Sequence, residues 1–272
     1  MSDFIPSATV IADSISVYGD RLTTIEVWMH RFVLAEFNTH RVFSRNSASS
    51  RAIPVHKTIT RLADRPAVPL AWPGERKGMQ GGELLNPFYA AKARDAWLAA
   101  RDSAVGHAEE LLSLGVHKSI VNRLLEPFMT HAVIVSATDW DNFWAQRCSP
   151  LAQPEIAAAA NAMRLAYEQS TPRPLTHGQW HLPYIQVRDR VDYAKAPHML
   201  RHISAARCAR VSYLSHDGKR DCEADLALYA RLLDADPPHA SPLEHVATPI
   251  EFGDRQLGNF RGWHQLRHTV LG

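Results

Sequence analysis

Apolar and polar residues alternate in two runs near the start of the chain, Ile15 to Tyr18 and Leu22 to Met29, with the turn-forming pair Gly19-Asp20 between them. Alternation puts every second side chain on one face of a sheet, so the two runs predict strands of a hairpin. Phe32, Val33, Ala35 and Glu36 predict a short helix that delivers Thr39 to Arg41 at its C-terminal end. The pattern then breaks, and an irregular polar loop is expected from Asn38 to Pro54. From Leu62 to about residue 88 the chain carries Pro66, Pro69, Pro73, Gly74, Gly78, Gly81 and Gly82, which predict an exposed excursion rather than core.

Helical spacing dominates the middle of the chain. Trp97, Leu98, Arg101, Ala104, Val105, Ala108, Leu111 and Leu112 form one stripe of a long helix over Tyr89 to Leu114, with Arg101 at its edge and Gly115 placed to end it. Lys118 to Leu125 predicts a helix stopped by Pro127, and Met129 to Val135 a strand. A helix follows, with Thr138 as its cap and Asp141 completing a capping box. Pro154 opens the next, whose face carries Ile156, Ala160, Met163 and Tyr167, and Pro172 and Pro174 close the section. Thr176 to Pro197 is expected to be irregular. His202 to Tyr213 and Cys222 to Leu233 predict helices, Ile250 to Phe252 a short strand, and Trp263 to Thr269 an apolar helix ending in a basic pair.

Composition narrows the class. The chain has 272 residues, 46% of them hydrophobic, enough for a sizeable core, and 30 basic against 28 acidic residues give a net charge of +2. A near-balanced charge argues against a general nucleic-acid binder, so anion recognition has to be local. Cys148, Cys208 and Cys222 are odd in number and far apart, without zinc spacing, which favours a reducing compartment. No basic-then-apolar leader and no apolar run of about 18 residues is present, so a cytoplasmic protein without membrane contact is expected, in the host cytoplasm if the chain is phage-encoded.

The candidate chemistry sits in the polar loop. His40, Arg41, Arg45 and Arg51 lie among Ser44, Asn46, Ser47, Ser49 and Ser50, with no acid between Asn38 and Pro54. Guanidinium forks match phosphate, and serine and asparagine add short hydrogen bonds and tolerate tight turns. The segment T-H-R-x-x-S-x-N-x-x-S-x-R resembles the R-H-R-x-x-S-x-N-E-x-S-x-R signature of the flavin-dependent thymidylate synthases. His40, Arg41, Ser44, Asn46, Ser49 and Arg51 match it, whereas Thr39 and Ser47 depart from it.

Two further blocks extend the resemblance. Arg123-Leu-Leu-Glu-Pro127, Asn142-Phe-Trp-Ala-Gln-Arg147 and Ala152-Gln-Pro-Glu-Ile156 resemble the family's R-x-x-x-P, N-F-x-x-x-R and A-Q-x-E-I segments. Ala205-Ala-Arg-Cys-Ala-Arg-Val-Ser-Tyr213 and His239-Ala-Ser-Pro-Leu-Glu-His245 resemble A-A-R-x-S and H-x-S-P-x-E-H, which in the usual family precede the basic loop and here follow everything else. The resemblance therefore implies one catalytic domain over 1–272 with permuted motif order, which is physically feasible when the original termini are close and exposed.

The family fold implied is α/β, a mixed or antiparallel sheet flanked by long helices, in a homotetramer with shared sites. The implied reaction moves a one-carbon unit from methylenetetrahydrofolate to C5 of dUMP, with FAD as cofactor and NADPH as reductant. On that resemblance Arg51, Arg147 and Ser49 are the catalytic candidates. Glu36, Ser44, Ser47, Ser49, Ser50, Arg51, Arg123 and Arg147 face the nucleotide. His40, Arg41, Asn46, Ser136, Asn142, Ser212, Ser241, Glu244, Arg267 and His268 face the flavin, the last two supplying charge that Thr39 lacks. Glu36 in place of a common glutamine, Thr39, and Ser136-Ala-Thr138 in place of an N-A-R segment leave open a different product such as 5-hydroxymethyl-dUMP.

Three other classes fit less well. A serine hydrolase at Ser49 or Ser50 needs an activating histidine, and no G-x-S-x-G elbow exists. The pairs His177/His181, His198/His202 and His264/His268 have helical spacing but lack the H-E-x-x-H acid, so no metal site is expected. A non-catalytic nucleotide or nucleic-acid binder explains basic loops beside aromatics but not the balanced charge.

Overall fold

The computed structural model describes residues 3–213, 221–251 and 256–271. Strands β1 (Ser7–Ser16) and β2 (Arg21–His30) form the expected antiparallel hairpin, with Gly19 at φ 86° in the turn, a conformation that a side chain opposes. The first strand lies earlier than the alternation predicts, and Tyr18 belongs to the turn. Small and polar residues along Ser7–Ser14 hide the strand, whose partner β2 supplies the apolar side chains.

After a 3-10 turn at Arg31–Val33 comes α1 (Leu34–Asn38), ending at Thr39 as predicted. The loop expected to be irregular contains β3 (Ser44–Ser47), and α2 (Val55–Asp64) follows it. Both were invisible to local pattern: β3 has no apolar residue, and its ladder partner lies about ninety residues on. The Pro/Gly-rich excursion is also less exposed than predicted. Leu62, Ala67 and Val68 are buried, and most of the remainder lies at the surface.

Helix α3 (Pro87–Ser113) is capped by Asn86, whose side chain accepts from Tyr89 N, and its stripe rests on α2 and α4 (Lys118–Leu125). Only Ala108 of that stripe is fully enclosed. Strand β4 (Thr130–Ala137) leads to α5 (Asp141–Arg147), which starts after Trp140; Thr138 does not cap it, its hydroxyl donating to Asp139 and accepting from Arg261 N. Helix α6 (Pro154–Gln169) buries Ile156, Ala160 and Met163 as predicted, and β5 (Arg173–Leu175) pairs parallel to β1. Then come α7 (Val187–Asp192), α8 (Met199–Arg210), α9 (Cys222–Leu233), a 3-10 turn at Ser241–His245 and β6 (Ala247–Pro249). The strand expected at Ile250 to Phe252 thus lies three residues earlier, and Phe252 is outside the described residues. Short strands β7 (Gln256–Leu257), β8 (Phe260–Arg261) and β9 (Trp263–Gln265) precede α10 (Leu266–Leu271), so the tail predicted as one helix is half strand, with Trp263 pairing to Pro249.

The main sheet has the order β3-β4-β2-β1-β5, mixed and flanked by helices, the α/β class the sequence implied. One face is apolar: Ile25, Val27, Met29, Val133, Val135 and Ala137 pack on Phe37, Phe143, Ile156 and Met163 of α1, α5 and α6. The other face carries Ala132 and Ile134 under Cys208 and Val211, but beside them runs a row of hydroxyls and amides from Ser14, Thr24, Ser136, Ser44 and Asn46. That row, covered by the C-terminal third, underlies the candidate site.

Candidate active site

Alternation along β3 sends Ser44 and Asn46 to the polar face and Arg45 to the opposite side. Arg45 Nη1 donates to the carbonyls of Asn38 and His40, both at 3.1 Å, and so closes the C-terminal end of α1. Arg147, in the last turn of α5, arrives beside it. Its Nε donates to His40 Nε2 at 2.9 Å, and its Nη2 to Thr39 Oγ1 at 3.0 Å and the Glu36 carbonyl at 3.2 Å. The His40 ring stacks on Phe43 and meets the edge of Phe143. Burial first, then Arg147 and Arg45, lower its pKa to about 4, so it is neutral at pH 7 and its Nε2 is free to accept. Thr39, where the family has arginine, here accepts from one. Glu36 Oε2 is buried with no partner.

The loop after β3 is fixed from below. Ala48 N donates to Ala132 O, Ser49 N donates to Ser212 O at 2.9 Å, and the Ser49 carbonyl accepts from Ala52 and Ile53 N. Fully buried Asn122 of α4 donates through Nδ2 to the carbonyls of Ser50 (2.7 Å) and Ile53 (2.9 Å). Glu126 accepts from the Ser50 hydroxyl, from Arg123 Nη1 at 2.8 Å and from Arg31 Nη2 at 3.2 Å. Arg31 also contacts His131, whose pKa burial and that guanidinium bring down to about 3. Arg41 and Arg51 point outward, exposed, and neither has an ion-pair partner among the described residues. Ser47 is half-buried at the end of β3, and Asn142 lies on the exposed face of α5, apart from the other candidates.

On the polar face the C-terminal segments meet β3. Thr24 Oγ1 lies 2.5 Å from Ser136 Oγ and 2.8 Å from His181 Nε2, and His181 Nδ1 lies 2.9 Å from Ser14 Oγ. Ser136 continues to His245 Nδ1 (2.8 Å), whose Nε2 is 3.0 Å from the Asn46 amide, itself 3.1 Å from Ser241 Oγ. The result is a relay of seven polar side chains, six of them buried and only Ser241 exposed, joining β1 to the Ser241–His245 turn. Burial lowers both His181 and His245 to about 3, so both rings are neutral and each bridges two partners. Gln265 Nε2 donates to Ser44 Oγ at 3.2 Å, and Arg267 Nη1 pairs with Glu244 Oε1 at 2.5 Å. His268 stacks on His264, and its buried Nδ1 has no partner.

The structure thus joins His40, Glu36 and Arg147 in one group, Ser50 and Arg123 in a second, and Ser44, Asn46, Ser136, Ser241, Glu244 and Arg267 in a third. Ser49 and Ser212 bridge the second and third through backbone. Sequence reasoning did not single out Glu126, Asn122, Thr24, His245 or Gln265, and it weighed His181 only as half of a metal-spaced pair with His177. His245 had a signal, as the last residue of H-x-S-P-x-E-H; the spacing of His181 from His177 pointed to a metal rather than to the relay, and Gln265 had no signal. Ser136 and Ser44 are buried, and their hydroxyls are engaged by protein. The donors suit an anionic, planar-ringed ligand: unneutralised Arg41 and Arg51, half-exposed Arg123, and the orphaned His268 Nδ1. Among the described residues no cluster of three or more His, Cys, Asp or Glu is arranged for a metal, and no helix is long and apolar enough to cross a membrane.

Fold and site together define an α/β protein whose basic loop, laid on a sheet edge, is gripped by segments far away in sequence. The chain belongs to the family described as thymidylate synthase complementing protein, whose profile matches residues 21–173, more than half of its length and including the basic loop and the Arg123 to Ile156 block. The C-terminal segments lie outside that match. Two solved structures of the UMP/dUMP methylase PolB from Streptomyces cacaoi are similar. The form bound with 5-Br UMP has TM-score 0.51 and 14% identity over 62% of this chain and 90% of that one. The form bound with 5-Br dUMP has TM-score 0.42 and 18% identity over 55% and 67%. No curated protein matches the chain.

Proposed function

We propose that this protein transfers a one-carbon unit from methylenetetrahydrofolate to C5 of dUMP, using FAD and NADPH. The observation that carries the reading is the meeting of three segments distant in sequence, around residues 38–51, 123–147 and 212–245, at one edge of the sheet, with the exposed guanidiniums of Arg41 and Arg51 left without an ion-pair partner among the described residues. Family membership and the fold shared with a nucleotide methylase support the same substrate class. Arg51 and Arg123 take the nucleotide phosphate, Arg147 and Glu36 face the pyrimidine, and Ser47, Ser49 and Ser50 set the loop around it. His40, Arg41, Asn46, Ser212, Ser241, Glu244, Arg267 and His268 border the cofactor. When bound, the flavin supplies the hydride chemistry; the protein supplies orientation and charge. No cysteine is asked to attack the pyrimidine: Cys208 is fully buried, and burial raises its pKa.

A homotetramer with shared sites accords with Arg41, Arg51 and Asn142, which face outward, exposed, on one chain. The test is purification and reconstitution with FAD, followed by release of the C5 hydrogen from dUMP in the presence of methylenetetrahydrofolate and NADPH. Product mass separates dTMP from 5-hydroxymethyl-dUMP, an outcome that the Thr39 and Ser136–Thr138 departures leave open. Failure to bind flavin after reconstitution, with the fold intact, removes the proposal.

A further inference from the structure

Away from the basic loop, α2 presents Thr58 and Arg61 three residues apart on one face, and Arg65 follows just past its C-terminal end. With Phe4, Ser7, Trp28, Asp64 and Thr130, the two arginines enclose a cleft of about 370 Å³. The same arginines and Thr130 close a narrower recess lined by Thr58, Ile53 and Met129. The Arg61 guanidinium lies over the Trp28 ring at 5.2 Å from its centre, and that of Arg65 over Phe4 at 5.2 Å. Aromatic faces hold both cations in place but do not neutralise them. Neither arginine has an ion-pair partner among the described residues, and Asp64, the acid of the wall, pairs with neither. Thr58 is 2% exposed, and its hydroxyl lacks any partner.

A buried hydroxyl without a partner is costly, and the two uncompensated guanidiniums and Thr130, which line both the recess that holds Thr58 and the cleft that holds Ser7, supply the donor set of a tetrahedral oxyanion. The volume exceeds what the anion alone needs and falls in the ordinary range of small-molecule sites, and the Trp28 indole offers an apolar wall for the remainder. Thr130 opens β4 and Ser136 lies six residues on, about 20 Å along an extended strand, so the cleft is at the far end of β4 from the polar relay, while the narrower recess reaches Ile53, two residues beyond Arg51.

We propose that this cleft is a second binding site, for a phosphate group that is either free or carried by a nucleotide. Inorganic phosphate and uridine monophosphate are titrated separately by calorimetry into the full-length wild type and Arg51→Ala, and into Arg61→Ala and Arg61→Ala/Arg65→Ala in both backgrounds, with circular dichroism reporting the fold. Phosphate binding at this cleft is expected to survive in Arg51→Ala, and that surviving component to weaken about tenfold or more when Arg61→Ala is added and to vanish when Arg65→Ala is added as well. Uridine monophosphate binding that is tighter than phosphate and still depends on Arg61 in an Arg51→Ala background identifies a nucleotide; equal affinities identify free phosphate. If loss of the guanidinium stacked on Trp28 unfolds the chain, Arg61→Lys keeps the charge without the fork and is expected to weaken phosphate about tenfold. Phosphate affinity unchanged in a folded Arg61 variant, or absent from the wild type at millimolar concentration, overturns the proposal.

Discussion

Arg51 and Arg147, matched to two blocks of one family at the level of sequence, occupy different physical states. Arg147 is tied to His40, Thr39 and the Glu36 carbonyl, so Arg147→Ala leaves a buried imidazole acceptor unpaired and is expected to cost about 1–3 kcal/mol of stability, read by urea denaturation. Arg51 has no side-chain partner and is exposed, so Arg51→Ala is expected to change stability by less than about 0.5 kcal/mol. Its effect belongs to binding: loss of a charge-assisted bond to phosphate, about 1.5–3 kcal/mol, should raise the dUMP dissociation constant by about tenfold to a hundredfold. An unchanged dissociation constant would remove Arg51 from the phosphate site. Arg123 stands between these cases, half-exposed and shared with Glu126, and has to exchange that carboxylate for phosphate.

At the scale of elements, the basic loop owes its shape to α4. Asn122 supplies two hydrogen bonds to loop carbonyls from a wholly buried position, and Asn122→Ala is expected to cost about 1–3 kcal/mol and to weaken nucleotide binding with it, because the carbonyls of Ser50 and Ile53 lose their donors. A urea midpoint equal to wild type would show that the loop holds itself. The C-terminal tail is likewise structural. Trp263 and Leu266 are buried and Leu266 N donates to Val246 O at 2.7 Å, so ending the chain after Gly262 is expected to destroy cooperative unfolding rather than report on cofactor affinity. Arg267→Ala, which removes an exposed partner of Glu244, keeps the fold and isolates the question of charge near the flavin.

For the molecule as a whole, four histidines carry a common pH signature. His40 has its folded pKa lowered to about 4, and His131, His181 and His245 to about 3, all from the ordinary 6.5. Between pH 6.5 and 4 the unfolded chain binds protons that the folded one excludes, so stability is fully present above about pH 6.5 and falls as pH drops through this window. The urea midpoint is therefore expected to decline from about pH 7 to about pH 5, and a flat profile would contradict the burial of these rings. Since His181 and His245 belong to the relay joining β1, β2 and β4 to the Ser241–His245 turn, acid should loosen the C-terminal third from the sheet.

The sequence by itself determined the hairpin, helices α3, α4, α6 and α9, and strand β4, because each carries its own periodicity or its own cap. It also determined the family, because the spacing within T-H-R-x-x-S-x-N-x-x-S-x-R survives whatever surrounds it. Only the tertiary structure decided that Ser44–Ser47 is a strand, since a segment without apolar residues is held by a ladder to β4, about ninety residues later. Only the tertiary structure chose the partners as well. That Thr39 would hold Arg147, that Glu126 would gather Ser50, Arg123 and Arg31, and that His181 and His245 would be neutral bridges under the site all follow from long-range burial. Local sequence fixes what a side chain is able to do; its charge state and its partner depend on what the rest of the chain folds against it.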